Sequence, residues 1–175
     1  MAKAAIPTKV NNYNVYAGDG AEKLLGMGDE MTLPDFEASA EDVSGAGILG
    51  EISDPTVGYF SNQEMEIPFR VLDTEATDML KMTSAVKLTV RGAVQTTNPT
   101  GDIEMSGIRV VVRGRVSKFS TGKMQRGAAM DTRVTLALLY ILIEIDGSSV
   151  LELDKLNDVF KVNGEDVLAE VRKLI

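Results

Sequence analysis

The chain has 175 residues, a net charge of −8 from 18 Lys and Arg against 26 Asp and Glu, and neither cysteine nor histidine. These absences exclude disulfide bonds, thiolate nucleophiles, cysteine-ligated zinc or iron–sulfur sites, and catalysis by a histidine base. A hydrophobic content of 44% is enough to build a core in a single domain of this length.

The N-terminal part of the chain shows two short strand patterns. Tyr13 and Val15 alternate with polar residues, which predicts a first strand over residues 12–16. Residues 30–36 alternate as well. Because a proline lacks the amide hydrogen that a central strand needs, Pro34 restricts this second segment to an edge strand or a bend.

Residues 38–61 lack the periodicity of a helix or a strand. Glycine and proline occur among serine and acidic residues, which predicts a long loop or an extended arm. A stretch of this length inside a compact domain commonly has a binding role. Within it, Gly45-Ala46-Gly47-Ile48-Leu49-Gly50 matches the dinucleotide-binding pattern G-x-G-x-x-G. That motif requires a buried strand before it and a helix after it, whereas polar residues precede it here and Pro55 follows, so a nucleotide site is not predicted.

The next two elements are a strand and a helix with clear periodicities. Residues 63–71 predict a half-buried strand whose apolar face comprises Met65, Ile67, Phe69 and Val71. Asp73 or Thr74 is expected to cap the helix that follows. The apolar stripe of this helix comprises Ala76, Met79, Leu80 and Met82.

Two strands joined by a turn are predicted in the middle of the chain. From Ala85 the period is two, and the apolar face comprises Val86, Leu88, Val90 and Val94. Residues 96–102 have the composition of a turn. The apolar face of the second strand comprises Ile108, Val110, Val112 and Val116, and Gly114 predicts a β-bulge within it.

Residues 133–145 are apolar on both alternating faces, which is typical of a central strand covered on both sides. A basic, glycine-rich loop over about 117–131 leads into this segment. A buried helix has a similar composition, but Asp146-Gly147 directly after the segment is a strong hairpin-turn signal and favours a strand. The apolar run Leu136–Ile143 is far shorter than the ~20 residues of a transmembrane helix.

The C-terminal part predicts two hairpins and a helix. Residues 150–153 complete the hairpin at Asp146-Gly147, and residues 158–162 with Asn163-Gly164 predict another. Residues 165–175 predict a helix with an apolar face. Long strands with short, segregated helices indicate a mainly β protein, either a β-sandwich or a half-open barrel with helical flanks, in one domain spanning 1–175.

Charge is distributed unevenly along the chain. From Asp19 to Asp78, 15 acidic residues face only Lys23 and Arg70, a net charge of −13. From Arg109 to Arg133, seven basic residues face Asp131 alone, a net charge of +6. Either the two segments neutralise each other within one fold, or an acidic face on one copy meets a basic face on the next. Nucleic-acid binding by the basic segment is disfavoured, because stacking aromatics are scarce there and the whole protein repels phosphate.

Catalytic and metal-binding candidates are weak. With 26 carboxylates, any proposed acid–base pair is uninformative. Asp29-Glu30 and Glu41-Asp42 could bind calcium, but no D-x-D-x-D-G loop is present. The chain also starts without the apolar stretch of about 7–15 residues that a signal peptide needs. The sequence therefore predicts no enzyme activity, no metal, no cofactor, no membrane segment and a cytoplasm-like compartment.

An ordered set of short motifs resembles the major tail tube proteins of contractile-tailed bacteriophages, including the tube subunits of phage-tail-like bacteriocins. The motifs are Met31-Thr32-Leu33-Pro34, Ser44-Gly45-Ala46-Gly47, Val110-Val111-Val112-Arg113-Gly114-Arg115, Ser120-Thr121-Gly122, Glu144-Ile145-Asp146-Gly147, Leu151-Glu152-Leu153-Asp154 and Val162-Asn163-Gly164-Glu165-Asp166. The resemblance runs from about Asn12 to the C-terminus and is most specific from Val110 to Asp166. Residues 2–10 and 18–28 match poorly.

The resemblance implies a tail-tube fold, a β-sandwich or half-open barrel with a flanking helix. It implies hexameric rings that stack into the hollow inner tube of a virion tail, assembled in the host bacterial cytoplasm. The expected partners are other copies of the chain, the tail sheath protein, and the baseplate and terminator proteins that begin and end the tube. DNA is expected to pass through the channel without specific binding, or the tube punctures a membrane in a bacteriocin.

Combining this resemblance with the charge asymmetry gives candidate ring-stacking contacts. The acidic candidates are Glu41, Asp42, Glu51 and Asp54 of the segment over about 37–61. The basic candidates are Lys118, Lys123 and Arg126. An acidic channel wall would also repel DNA phosphates.

Alternative functions remain open from the sequence. A baseplate or tail-completion protein could have the same fold, and a type VI secretion tube subunit is a more distant relative. A carboxylate-based hydrolase or a carbohydrate-binding module on a β-sandwich is disfavoured, because the chain has no tryptophan and only 5% aromatic residues.

Overall fold

The structure is a computed structural model that describes residues 5–18, 20 and 22–175. Predictions for the first four residues, and for the charge at Asp19, lie outside these described residues. Within them the chain forms eleven strands and two short helices. In order these are β1 Ile6–Ala17, β2 Glu22–Leu24, β3 Ala38–Val43, β4 Ile52–Phe60, β5 Glu64–Phe69, α1 Thr74–Asp78, β6 Val86–Thr97, β7 Ile103–Ser120, β8 Thr132–Ile145, β9 Ser148–Asp154, β10 Val159–Val162, β11 Glu165–Asp166 and α2 Ala169–Leu174.

Nine of these strands form one antiparallel sheet that curls into a barrel. Its order is β11-β10-β9-β8-β7-β6-β1-β2, and β5 also pairs with β8. The chain after β2 joins the two ends of the curl, because Met27 bridges to Phe69 and Gly28 N donates to Pro68 O at 2.9 Å. The mainly β fold with flanking helices is therefore confirmed.

The hydrophobic core fills this barrel. Its largest fully buried side chains are Phe69, Met65, Ile67, Leu88, Leu136, Leu138 and Ile141. They come from β5, β6 and β8, so the predicted apolar faces of these strands point inward as expected. Burying a side chain of this size stabilises the fold by about 1.5–3 kcal/mol.

The two longest strands, β7 and β8, hold the barrel and the rest of the sheet together. Along its second edge, β8 pairs with β5 over residues 132–137 and with β9 over residues 140–145. The register of β7 on β8 shifts between Arg113 and Gly114, which confirms the predicted bulge. A Cβ at Gly114 would lie 2.4 Å from Ala137 O, so only glycine fits there.

The two Asx-Gly turns close hairpins as predicted. Asp146 and Gly147 have φ angles of 49° and 78°, and Asn163 and Gly164 have 51° and 82°. Positive φ at both central residues defines the type I′ turn, whose twist matches that of paired strands. These turns connect β8 to β9 and β10 to β11.

Helix α1 is capped as the sequence predicts. Asp73 Oδ1 accepts a hydrogen bond of 2.9 Å from Ala76 N. Ala76 and Met79 join the core cluster, whereas Met82, which the predicted stripe included, is 60% exposed. The stripe is therefore shorter than the periodicity suggested.

Several element boundaries differ from the prediction. Residues 30–36 form no strand, and Val71 is 51% exposed because β5 already ends at Phe69. Strand β1 is longer than residues 12–16, since pairing with β6 extends it to Ile6. The predicted loop over 117–131 begins only after Ser120, because pairing with β8 extends β7.

The structure differs most from the prediction at residues 38–61 and at the C-terminus. The segment over 38–61 is a β-hairpin, with β3 paired to β4, and is not irregular. The C-terminal helix covers only 169–174, because Glu165 and Asp166 pair with β10 after the type I′ turn. This helix buries none of its side chains.

Candidate functional site

The acidic segment is a projecting hairpin, which we call the arm (β3 and β4, residues 38–60). The four acidic candidates, Glu41, Asp42, Glu51 and Asp54, are all exposed. Glu41 and Asp54 are direct cross-strand partners, so their Cα atoms lie roughly 4.5–5.5 Å apart. Like charges placed directly opposite destabilise a strand pair. The arm would thus gain stability from a positively charged neighbour.

The tip of the arm contains the glycine motif. Residues 45–50 lie within the connection between β3 and β4, residues 44–51, where Ile48 N donates to Gly45 O at 3.1 Å. A dinucleotide site needs a helix N-terminus directly after this motif. Strand β4 follows it instead, so the motif lacks the helix that such a site requires.

Aromatic side chains hold the root of the arm on the barrel. The Phe60 ring packs edge-on against Phe36 at 5.7 Å and against Phe160 at 5.1 Å between centroids. Lys155 Nζ donates to Ser61 O at 3.3 Å, and burial lowers the pKa of Lys155. The root of the arm is therefore fixed to β10 and to the connection after β9.

The basic candidates lie on and beside the connection from β7 to β8, residues 121–131, which we call the basic loop. Its neck is closed by a hydrogen bond of 2.8 Å from Lys123 N to Met130 O. Met130 N donates to Arg70 O at 2.7 Å, which fixes the loop to the end of β5. Lys123 and Arg126 are exposed on the loop, and Lys118 is exposed on β7.

Part of the basic segment is neutralised inside the fold. Arg109 pairs with Glu144 at 2.8 Å, and Arg113 pairs with Asp154 at 3.2 Å. Arg133 pairs with Glu66 at 2.8 Å. In the described part of the chain, Lys118, Lys123 and Arg126 make no such ion pair. Neutralisation within the fold therefore accounts for Arg109, Arg113 and Arg133 and not for Lys118, Lys123 and Arg126.

Arg113 and Asp154 belong to a charged cluster on the sheet, in which the Arg113 guanidinium lies over the Tyr140 ring at 5.3 Å. Burial and the Glu152 carboxylate raise the pKa of Tyr140 to about 12, and Tyr140 Oη donates to Glu152 at 3.2 Å. Burial opposes ionisation of Asp154, but hydrogen bonds from Asn157 and from Leu156 N outweigh it and lower the pKa of this carboxyl. At neutral pH Tyr140 is therefore neutral and Asp154 ionised, which suits the hydrogen bond to Glu152 and the ion pair with Arg113.

The sheet has an open edge along β1. Strand β2 pairs with β1 only at residues 15–17, so within the described residues no strand pairs with that edge over 6–14. Apolar side chains are exposed along this end of the sheet, with Ile6 64% and Val10 59% exposed. At its other side the sheet ends in the two-residue β11. Open edges with exposed apolar side chains are sites at which chains associate.

An acidic cavity beside the root of the arm was not predicted from the sequence. It has a volume of about 420 Å³, and its lining residues are Asp35, Glu37, Ser61, Asn62, Gln63 and Glu64. The two lining segments are joined by a hydrogen bond of 2.8 Å from Gln63 Nε2 to Asp35 O. Because they are separated along the chain by the whole arm, no local sequence pattern connects them.

Within the described residues, no group of three or more Asp and Glu side chains is placed to hold a metal ion. No helix there is long and apolar enough to cross a membrane.

Comparison with known proteins gives two matches over nearly the whole chain. The sequence model of the family described as phage tail tube protein FII matches residues 7–175. The tail tube protein of Escherichia phage P2 is 27% identical over 176 residues, an alignment that covers 98% of each protein.

Proposed function

Because the chain belongs to the phage tail tube protein FII family and is therefore a structural subunit of a phage tail tube, we propose that it forms hexameric rings stacked as the inner tube of a contractile tail. The tube is the channel for DNA. Assembly takes place in the host bacterial cytoplasm, on a baseplate that begins the tube and up to a terminator that ends it. The sheath protein surrounds the finished tube.

The observation that carries this proposal is the open edge of β1. A sheet that ends in a free edge with exposed apolar side chains would aggregate unless another strand covers it. The opposite side of the same sheet ends in β10 and β11, which offer a second edge. The β1 edge of one copy can pair with the β10–β11 edge of the next copy. This contact repeats from copy to copy until the ring closes.

A second surface is needed to stack the rings. The root of the arm lies beside Glu64, the first residue of β5. The basic loop is attached at the other end of β5, through Arg70, which directly follows Phe69. Oppositely charged surfaces at opposite ends of a subunit favour a head-to-tail contact between rings.

The net charge of −8 suits a channel that DNA must cross without binding. Fixed carboxylates repel phosphate, so DNA is not retained at the wall. This supports passage of DNA and disfavours a nucleic-acid-binding role.

Negative-stain electron microscopy of the purified protein tests the proposal. We expect hollow tubes whose end views show sixfold rings. Val10→Asp would place a carboxylate beside the open edge of β1, where pairing would bury it, so rings should be lost. Met82→Asp is the matched control, because Met82 is equally exposed at 60% but lies between α1 and β6, on neither edge strand. Monomers of the unaltered protein at high concentration would contradict the proposal.

A further inference from the structure

The acidic cavity beside the root of the arm has features of a receptor for a cation. Asp35, Glu37 and Glu64 bring three carboxylates to its lining. In the described part of the chain none of the three forms an ion pair. Asn62 Nδ2 and Ser117 Oγ donate to Glu64 at 3.3 and 3.4 Å, whereas the Asp35 and Glu37 carboxylates are exposed. The cation of the same subunit at this lining, Lys155 Nζ, binds Ser61 O, so the three carboxylates themselves stay unpaired.

Gln63 is an independent sign that the cavity is incomplete. Its side chain lines the cavity and the residue is only 3% exposed. While Nε2 donates to Asp35 O, Oε1 has no hydrogen-bond partner among the described residues. A buried amide oxygen without a donor costs free energy, so the wall of the cavity retains an unsatisfied acceptor in the isolated subunit.

The basic loop offers donors of the required charge. Lys123 and Arg126 are exposed and without ion pairs in the described part of the chain. The neck of the loop is rigid, because Lys123 N binds Met130 O and Met130 N binds Arg70 O. A fixed loop with free cations can enter a cavity with little loss of conformational entropy.

The loop of a subunit cannot reach its own cavity. Glu64, on the cavity, and Phe69, beside the attachment of the loop, are the two ends of β5. Five residue steps in a strand span roughly 17 Å, and the loop continues beyond the end of β8 that pairs with Phe69. A cation of the basic loop can therefore reach the cavity only from another subunit, displaced along the direction of β5.

We propose that the acidic cavity of one subunit receives the basic loop of a subunit in the next ring, with Lys123 and Arg126 facing Asp35, Glu37 and Glu64. This inference rests on the proposed stacking of rings. It places the acidic partner at the root of the arm and not on its strands. Cavity and loop lie at opposite ends of β5, so the contact is head-to-tail and repeats from ring to ring.

Charge reversal with rescue tests this contact. Asp35→Lys/Glu37→Lys and Lys123→Glu/Arg126→Glu should each lower the mass of sedimented tubes at least tenfold, because like charges then face each other. Combining all four changes should restore tubes, because the pairing is inverted. Glu41→Lys/Asp42→Lys reverses the same number of charges on the strands of the arm, the alternative acidic surface for stacking, and should leave most tubes intact if the cavity is the acceptor. Loss of tubes in this arm variant, with tubes retained in the cavity variant, would overturn the assignment.

Disulfide crosslinking gives a second measurement that does not depend on tube yield. Since the chain has no cysteine, Glu37→Cys/Gln125→Cys introduces the only thiols. Oxidation should give a ladder of covalent multimers on a denaturing gel, whereas each single variant should stay monomeric. If the double variant forms tubes of unaltered size but gives no ladder, the cavity assignment is overturned and the proposed tube function is not affected. Failure of the unaltered protein to form tubes would count against both.

Discussion

Gly122 shapes the basic loop at the scale of a single residue. Its φ is +80°, and a Cβ there would lie 2.0 Å from Met130 O, the acceptor of the hydrogen bond that closes the neck. Residues with a side chain rarely adopt such a φ, and the backbone of Met130 already occupies the space that the Cβ would need. The position therefore requires glycine for two separate reasons.

We predict that Gly122→Ala lowers the free energy of unfolding by about 3 kcal/mol or more, because the neck of the basic loop must open. Gly127→Ala is the matched control: its φ is +79°, but nothing lies within 4 Å of the added Cβ. Gly127→Ala should lower the free energy of unfolding by only about 1 kcal/mol, the cost of placing alanine at a positive φ. Urea denaturation of both variants measures the difference, and equal losses would show that the neck does not constrain the loop.

At the scale of the element, the arm stands apart from the main sheet. Within the described residues its two strands pair only with each other, so its attachment depends on its root. Phe60 packs there against Phe36 and Phe160, and these three rings link the arm to the segment before it and to β10. The acidic cavity borders this root, so a loose arm would also disturb the cavity.

We predict that Phe60→Ala loosens the arm while the barrel stays folded. Removing a half-buried ring with two aromatic neighbours should cost about 2 kcal/mol of stability. The arm should open before the barrel does, because its other contacts are few. Hydrogen exchange over residues 38–60 measures this and should accelerate at least tenfold. Tyr59→Ala, which removes a neighbouring ring that is 64% exposed, should leave exchange unchanged. Acceleration spread equally over β6 and β8 would contradict a local role.

At the scale of the whole molecule, the charge asymmetry divides into two parts. Arg109, Arg113 and Arg133 pair within the fold, and the pairs on the sheet stabilise it. Lys123 and Arg126 form no ion pair with any described residue, and neither do the acids of the arm and the cavity. The same segment thus serves both intramolecular neutralisation and the proposed contact between rings.

A head-to-tail contact that does not close adds subunits without limit. We therefore predict that tubes grown from the purified protein have a broad length distribution whose mean increases with protein concentration. Length measured on electron micrographs at three concentrations tests this. A narrow, concentration-independent length would show that the chain limits its own stacking and that no terminator is required.

The sequence by itself determined the features that depend on neighbouring residues. Alternation in β5, β6 and β7, the Asp73 cap of α1, the Gly114 bulge and both Asx-Gly turns are local, because propensity and side-chain period act within a few residues. The resemblance in ordered motifs also led to the family that the matches over residues 7–175 establish.

Only the tertiary structure decided what depends on distant residues. The arm is a hairpin because β3 and β4 satisfy each other's backbone groups, although neither has an apolar period. The helix at the C-terminus is short because β10 captures Glu165 and Asp166. The acidic cavity forms from segments on either side of the arm, and which arginines are neutralised depends on strand register. Pairing between strands far apart in the chain fixes all of these, and composition alone carries no information about it.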